Sequence, residues 1–500
     1  MENKKILVII PIIIIIIILL GAGVFAYIFF KTDLLKSDRQ LFFEYALGDK
    51  SGEVLKEYYK KQLETPYEFV GRGYVEVESD IDEIPQDFKD LEKFEKFDIT
   101  FEGVNDIKAQ NFDIKASVNY DHEKIIPVSV AKTGSLLGIT TDALDGYIAI
   151  DYEEDAKNSL GLEKMAKIMV DYIYQEREEL SKEDIEYLKE KYMDILMESL
   201  TDEKFSKVTA EEETGYRLEI TNKELIETFV KVLEELKDDE KTLDIINGQL
   251  EKTIEITEEN LNGVPTEDMK LEKQDIEEII DEINENVLTI PEYSEESEQE
   301  FKDTLNRKII VILWVDNNKN ISKVEVSQEK LGKIEIEIKR TEDTLEYVGT
   351  VDISERISEI STLIDEDMEI EKIKVIGNFG VKYTGLNTME KVTELYHYGM
   401  SLSQVEEADA KIYVENAVKF TETPDISTLD EDNTWLLTPN TDEAVLKFLE
   451  KKYELVMKDF TKRFEALEDV LSSSNKILQP TPGMLPLDDI GESILRKAAI

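Results

Sequence analysis

The sequence predicts an α+β fold: mostly antiparallel sheets packed with helices, including a long C-terminal helix, behind one N-terminal transmembrane helix. Three observations lead there. An uncharged run opens the chain, two long stretches alternate apolar and polar residues with a period of two, and capped segments with a period near 3.6 follow each of them.

The run is KKILVIIPIIIIIIILLGAGVFAYIFFK, Lys4 to Lys31. Residues 6–30 carry no charge, and at about 1.5 Å per helical residue they reach roughly 37 Å, against a hydrocarbon core of about 30 Å. Ile6, Ile12, Ile18, Leu20, Val24, Phe25, Phe29 and Phe30 mark its apolar surface, and they favour insertion by more than Pro11, Gly21 and Gly23 oppose it. A cleaved secretory signal is the competing reading, with Lys4 and Lys5 as the basic start and Val24-Phe25-Ala26 as a cut site. The run exceeds a signal's apolar core of about 7 to 15 residues and continues past that cut, so an uncut anchor is expected. Lys4 and Lys5 before the span nearly balance Lys31, Lys36 and Arg39 after it. Orientation then rests on the short amino-terminal tail, because long following domains translocate largely regardless of charge. The bulk of the chain is expected outside a cytoplasmic membrane.

Next, SDRQLFFEYALGD offers Ser37 as a cap, Gln40 three residues later and Gly48 as a stop, and a second helix runs through Tyr58 and Leu63 to Pro66. From Tyr67 to Asp151 the segments YEFVGRGYVEVE, FDITFEG, NFDIKASVNY, IPVSVAKTG and GYIAIDYEE alternate as strands with one solvated face. Residues 160–206 turn helical, with Ser181 and Asp184 as a capping box and Leu180 and Ile185 at staple positions. YRLEITNKELIETFVKVLEELKDDE repeats the device, as a strand to Ile220 and then a helix capped by Thr221 and Glu224. One more helix is expected in TEDMKLEKQDIEEIIDEINENV, and PEYSEESEQE reads as a solvated linker.

Strands return in RKIIVILWVDNNKNISKVEVSQ, a hairpin around Asn317 to Asn320, then in KIEIEIKR, TLEYVGTVDI and KIKVIGNFGVKYTGL. The segment around Tyr396, His397 and Tyr398 reads as helix or loop. The long C-terminal helix is placed from Thr441 to Leu471, where Leu446, Leu449, Tyr453, Val456 and Phe460 step by three and four. The organisation expected is thus a stub and anchor over 1–31, membrane-proximal helices over 32–66, a first α+β unit over 67–300 ending in an acidic linker, a second over 301–471, and a tail over 472–500.

Composition narrows the functions. The chain is 41% hydrophobic, enough to bury a core, yet its 112 Asp and Glu against 59 Lys and Arg give a formal net charge of -53. Such a surface repels phosphate backbones, so nucleic acid is excluded as a partner. With no cysteine, disulfides, thiol catalysis, cysteine zinc sites and iron-sulfur ligation fall away.

The candidate chemistries are sparse. Of two histidines, His122 sits in the turn NYDHEK and His397 between two tyrosines, each more in keeping with a surface or packed side chain than with a catalyst. GSLLG at Gly134 to Gly138 lacks the spacing of a nucleophile elbow. DNNKN at Asp316 to Asn320 spaces oxygens as a calcium loop does, but Ile321 stands where glycine is needed and Ser327 where the bidentate Glu belongs. No catalytic residue, cofactor or metal site is assigned. Weak divalent-cation binding by so many carboxylates is the one ionic partner expected, beside the lipid bilayer.

The anchor followed by DRQLFFEYALGD, the GYIAIDYEE strand and the YRLEITNKELIETFVKVLEELKDDE unit together resemble a group of uncharacterised, N-terminally anchored extracytoplasmic proteins of Gram-positive bacteria. The resemblance spans residues 1–471 loosely, and it implies localisation without any activity. The sequence therefore supports a single-pass membrane-anchored protein with a binding or scaffolding role and no enzymatic activity. Two alternatives stand beside it: a carrier of a lipid or other apolar ligand in a sheet-helix cavity, and a carboxylate-based envelope hydrolase.

Overall fold

The computed structural model describes residues 37–48, 51–79, 95–153, 180–210, 213–248, 271–284, 295–330, 332–354, 374–403, 407–430 and 432–437, with scattered helical residues between 167 and 174 and between 447 and 461. Of the described residues, 47% are strand and 33% helix. Chain contacts divide them into two units: residues 1–53, 176–339 and 347–376 form one, and residues 54–175, 340–346 and 377–500 the other.

In the first unit, β7 (Phe205–Ala210), β8 (Glu213–Thr221), β9 (Lys308–Val315), β10 (Ile321–Gln328) and β11 (Gly332–Arg340) follow one another across the sheet. Helix α1 (Asp38–Gly48) covers one face. Its start is a reciprocal cap, with Ser37 N donating to Gln40 Oε1 at 2.9 Å and Gln40 N to Ser37 Oγ at 3.3 Å. Leu41, Phe42 and Phe43 are buried with Phe205, Leu218 and Leu313, the aromatic rings meeting edge-on or tilted. Helices α3 (Lys182–Ser199), α4 (Asn222–Leu236) and α5 (Lys273–Ile283) bury Leu188, Leu233 and Ile276 in a second core. The predicted caps hold: Ser181 accepts from Asp184 N, and Thr221 and Glu224 form the complete capping box of α4.

In the second unit the order is β16 (Thr434–Leu437), β6 (Tyr147–Asp151), β5 (Leu136–Thr140), β4 (Glu123–Thr133), β3 (Asn111–Tyr120), β2 (Phe97–Asp106), β1 (Tyr67–Ser79), β15 (Glu407–Phe420), β14 (Lys391–Ser403) and β13 (Lys374–Thr384). The division between units passes through β13 and through β12 (Thr344–Asp352). Helix α2 (Ser51–Glu64) lays Tyr58, fully buried, against Tyr383 and Phe420. Gly71 is required here, since a Cβ would stand 2.2 Å from the Phe101 ring and 2.5 Å from the Glu415 carbonyl.

These observations correct the α+β expectation of mostly antiparallel sheets packed with helices. Strand dominates, and the sheet is mixed, because β16 pairs parallel with β6. Among the described residues no helix is long and apolar enough to cross a membrane. Ile6, Ile12, Ile18, Leu20, Val24, Phe25, Phe29 and Phe30, the residues of the expected transmembrane helix, lie outside the described residues. The long C-terminal helix lies largely outside them as well. Two local readings also change. Residues 391–403, with Tyr396, His397 and Tyr398, are strand β14 rather than helix or loop, and Glu295–Asn306, half of which falls in the expected linker, is helix α6.

Candidate functional site

One face of the second unit's sheet builds a recess of about 780 Å³. Its floor follows from strand register. Side chains on one face alternate along each strand, and cross-strand partners share that face. One row of partners runs from β14 to β5 through Thr393, Ala417, Val70, Glu102, Lys115, Ser129 and Thr140. The next row on the same face runs through Glu415, Arg72, Thr100, Ser117 and Pro127. All of these line the recess.

A third row fixes the floor from beside it. Arg72 Nη2 donates to Asp98 Oδ2 at 3.0 Å, Asn119 Nδ2 donates to Asp98 and to Thr100 Oγ1 at 3.2 Å, and Ser117 Oγ donates to Asn119 Oδ1 at 2.9 Å. Asp98 and Asn119 are both buried, so these bonds replace the water they lose. Tyr74 and Tyr413, cross-strand partners in that row, stack at 5.2 Å between ring centres, and Glu415 accepts from the Tyr74 hydroxyl at 3.4 Å.

Two loops raise the wall. Residues 141–146 join β5 to β6, and Thr140 Oγ1 donates to the Gly146 carbonyl at 2.7 Å. The segment before β16 is pinned where Ser427 Oγ donates to Asp113, Thr133 Oγ1 donates to the Ser427 carbonyl at 3.0 Å, and Tyr147 N donates to the Asn433 carbonyl at 2.8 Å. Tyr147 lines the recess, and burial, reinforced by the Asp113 charge, pushes its hydroxyl up from the ordinary range. The lining holds Arg72, Lys115 and Lys124 against Glu102, Asp142, Asp145 and Glu415. Charge is nearly balanced there on a chain whose formal net charge is -53.

The residues singled out by sequence lie elsewhere. His122 and Asp121 form the tight turn between β3 and β4, with φ of 70° and 49°. His397 is on β14 beside Tyr413 at 6.1 Å, and burial holds it below its ordinary range. The two histidines therefore share neither strand nor turn. Asp316 uses its carboxylate on the backbone, accepting from Asn318 N and Asn320 N at 2.9 Å each. Gly134, at φ 59°, makes the turn into β5. Among the described residues no group of three His, Cys, Asp or Glu side chains is placed to hold a metal ion. The recess residues carry no motif; the only trace in sequence is polar residues at alternate positions, as in Lys115, Ser117 and Asn119.

No family model matches the chain, and no curated protein or solved structure matches it.

Proposed function

We propose that the chain is a binding or scaffolding protein held at the outer face of a cytoplasmic membrane by residues 6–30, with the recess as the site of a polar ligand. The observation that carries the reading is the recess floor: two registered rows in which hydroxyl and charged side chains, interrupted by Val70, Ala417 and Pro127, converge on strands paired on both sides. Binding sites place a few convergent polar groups in a concavity of about 300–1,000 Å³, and this one falls within that range. The membrane part of the proposal rests on the uncharged run of the sequence. A carrier of apolar ligands would need a greasy cavity between sheet and helix. The seat of α2 is instead filled by Tyr58 and its aromatic neighbours, which favours the polar reading.

Thr393 is exposed at the β14 end of the floor, so Thr393→Trp places a bulky side chain in the recess without disturbing the core. Thermal unfolding of the full chain against a panel of polar small molecules should find stabilising ligands whose effect Thr393→Trp abolishes. Stabilisation that survives the substitution places binding elsewhere. Trypsin added to intact cells should digest the residues after Lys31, and full protection would refute the outward orientation.

A further inference from the structure

We infer that the recess takes an uncharged polyhydroxylated chain, an oligosaccharide; this rests on the reading of the recess as a ligand site. Three features of the lining select this class.

The first excludes an extended peptide bound by its backbone. The floor strands β1 to β5 are interior to the sheet, each paired on both sides. Their backbone groups are already used, and strand addition requires a free edge. A ligand on this floor must be held by side chains.

The second concerns those side chains. Ser129 and Thr393 present hydroxyls that both donate and accept; Ser117 and Thr140, whose protons go to Asn119 and to the Gly146 carbonyl, can still accept, and Thr100, which accepts from Asn119, can still donate. Four of them stand on the neighbouring strands β2 to β5 at about 4.8 Å per strand, a band of mixed donors and acceptors, and Thr393 lies three strands beyond β2, past Val70 and Ala417. A ligand whose own groups are hydroxyls can meet both the donors and the acceptors of such a band. A ligand of one polarity, all donors or all acceptors, does not.

The third is charge. Arg72 is committed to Asp98 at 3.0 Å, Asp145 to Lys452 at 2.7 Å, and Lys115 stands directly opposite Glu102 in register. With three cations against four carboxylates on a chain of formal net charge -53, the recess does not favour an anionic ligand. Tyr147, on the wall, adds a neutral ring against which the C–H face of a sugar can lie.

The test is isothermal titration calorimetry on the full chain in a detergent without a sugar head group. The probes are maltohexaose, cellohexaose and N-acetylchitohexaose, with a neutral Ser-Gly hexapeptide and hexaglucosamine as comparators. At least one neutral hexasaccharide should bind, its affinity falling at least tenfold in Thr100→Val and in Thr393→Trp. Circular dichroism should show both variants folded. If only the peptide or the cationic sugar binds, and Thr393→Trp abolishes it, the carbohydrate assignment is overturned while the recess stands as a binding site. A hexasaccharide that binds equally well to Thr393→Trp overturns the assignment by placing the sugar elsewhere. No binding by any probe overturns both readings.

Discussion

The hydroxyl of Tyr58 donates to Glu394 Oε1 at 2.8 Å, joining helix α2 to strand β14 through two side chains that are almost wholly buried. Gln62 Nε2 donates to the same hydroxyl at 2.7 Å, and Asn416 Nδ2 to the other carboxylate oxygen at 3.1 Å. Burial first, and then the Glu394 charge, push the Tyr58 hydroxyl far above its ordinary range, so it stays protonated as a donor. Tyr58→Phe leaves a buried carboxylate short of one donor, and should cost about 1–3 kcal/mol in urea unfolding. A loss below about 0.5 kcal/mol would show that the carboxylate finds another donor.

Thr221 and Glu224 satisfy each other's backbone groups at the start of α4, at 3.2 Å and 2.8 Å. Thr221→Ala removes the hydroxyl from the cap and should destabilise the protein by about 1 kcal/mol, measured as a shift of the denaturation midpoint. Thr221→Asn, which can still accept the bond, should recover most of the loss.

Acid sensitivity should centre on Asp239. Burial pushes its carboxyl up, but hydrogen bonds from Thr242 and from the hydroxyls of Tyr187 and Tyr192 outweigh it, leaving the group below its ordinary value of 3.8. A carboxyl depressed on folding contributes stability that is present above 3.8 and is lost as pH falls through the folded value. Asp239→Asn should therefore be less stable than the parent at neutral pH, with the gap closing below pH 3.8. A gap that stays constant across that window would assign its effect to packing.

The β9–β10 turn is strained at one residue. Lys319 N donates to the Asp316 carbonyl at 2.9 Å, and Lys319 itself sits at φ 65°. A side chain in that left-handed region costs about 1 kcal/mol. Lys319→Gly should raise stability by about 0.5 kcal/mol once the added freedom of the unfolded chain is deducted, whereas the β-branched Lys319→Val should lower it. Both follow from thermal midpoints.

What the sequence made readable was local. Ser37, Ser181 and Thr221 each cap a helix where spacing placed them, because a cap depends on residues three apart. Strand β14 escaped because its faces are not cleanly apolar and polar: Leu395 lies on the face of Thr393 and His397, while Glu394 is buried on the other. Helix α6 escaped because Phe301 and Leu305 are almost alone among charges in EESEQEFKDTLN. The recess was illegible for a different reason. It joins Arg72 of β1 to Glu415 of β15 through register alone, and no spacing in sequence encodes that pairing.

The wall of the recess hangs on Asp113. This carboxylate is 6% exposed, its Oδ2 accepts from Ser427 Oγ, and its Oδ1 has no hydrogen-bond partner among the described residues. Ser427→Ala thus removes the donor from a buried charge and should cost about 1–3 kcal/mol. Asp113→Asn keeps an oxygen to accept from Ser427 and takes away the buried charge, so it should cost less than Ser427→Ala. Urea unfolding of the two variants checks that order. The reverse order would show that shape, rather than the unpaired carboxylate, sets the energy. Because Ser427 and Asn433 belong to one segment, and Asn433 accepts from Tyr147 N at 2.8 Å, Ser427→Ala should also speed amide exchange at Tyr147, with the β1–β2 amides unchanged.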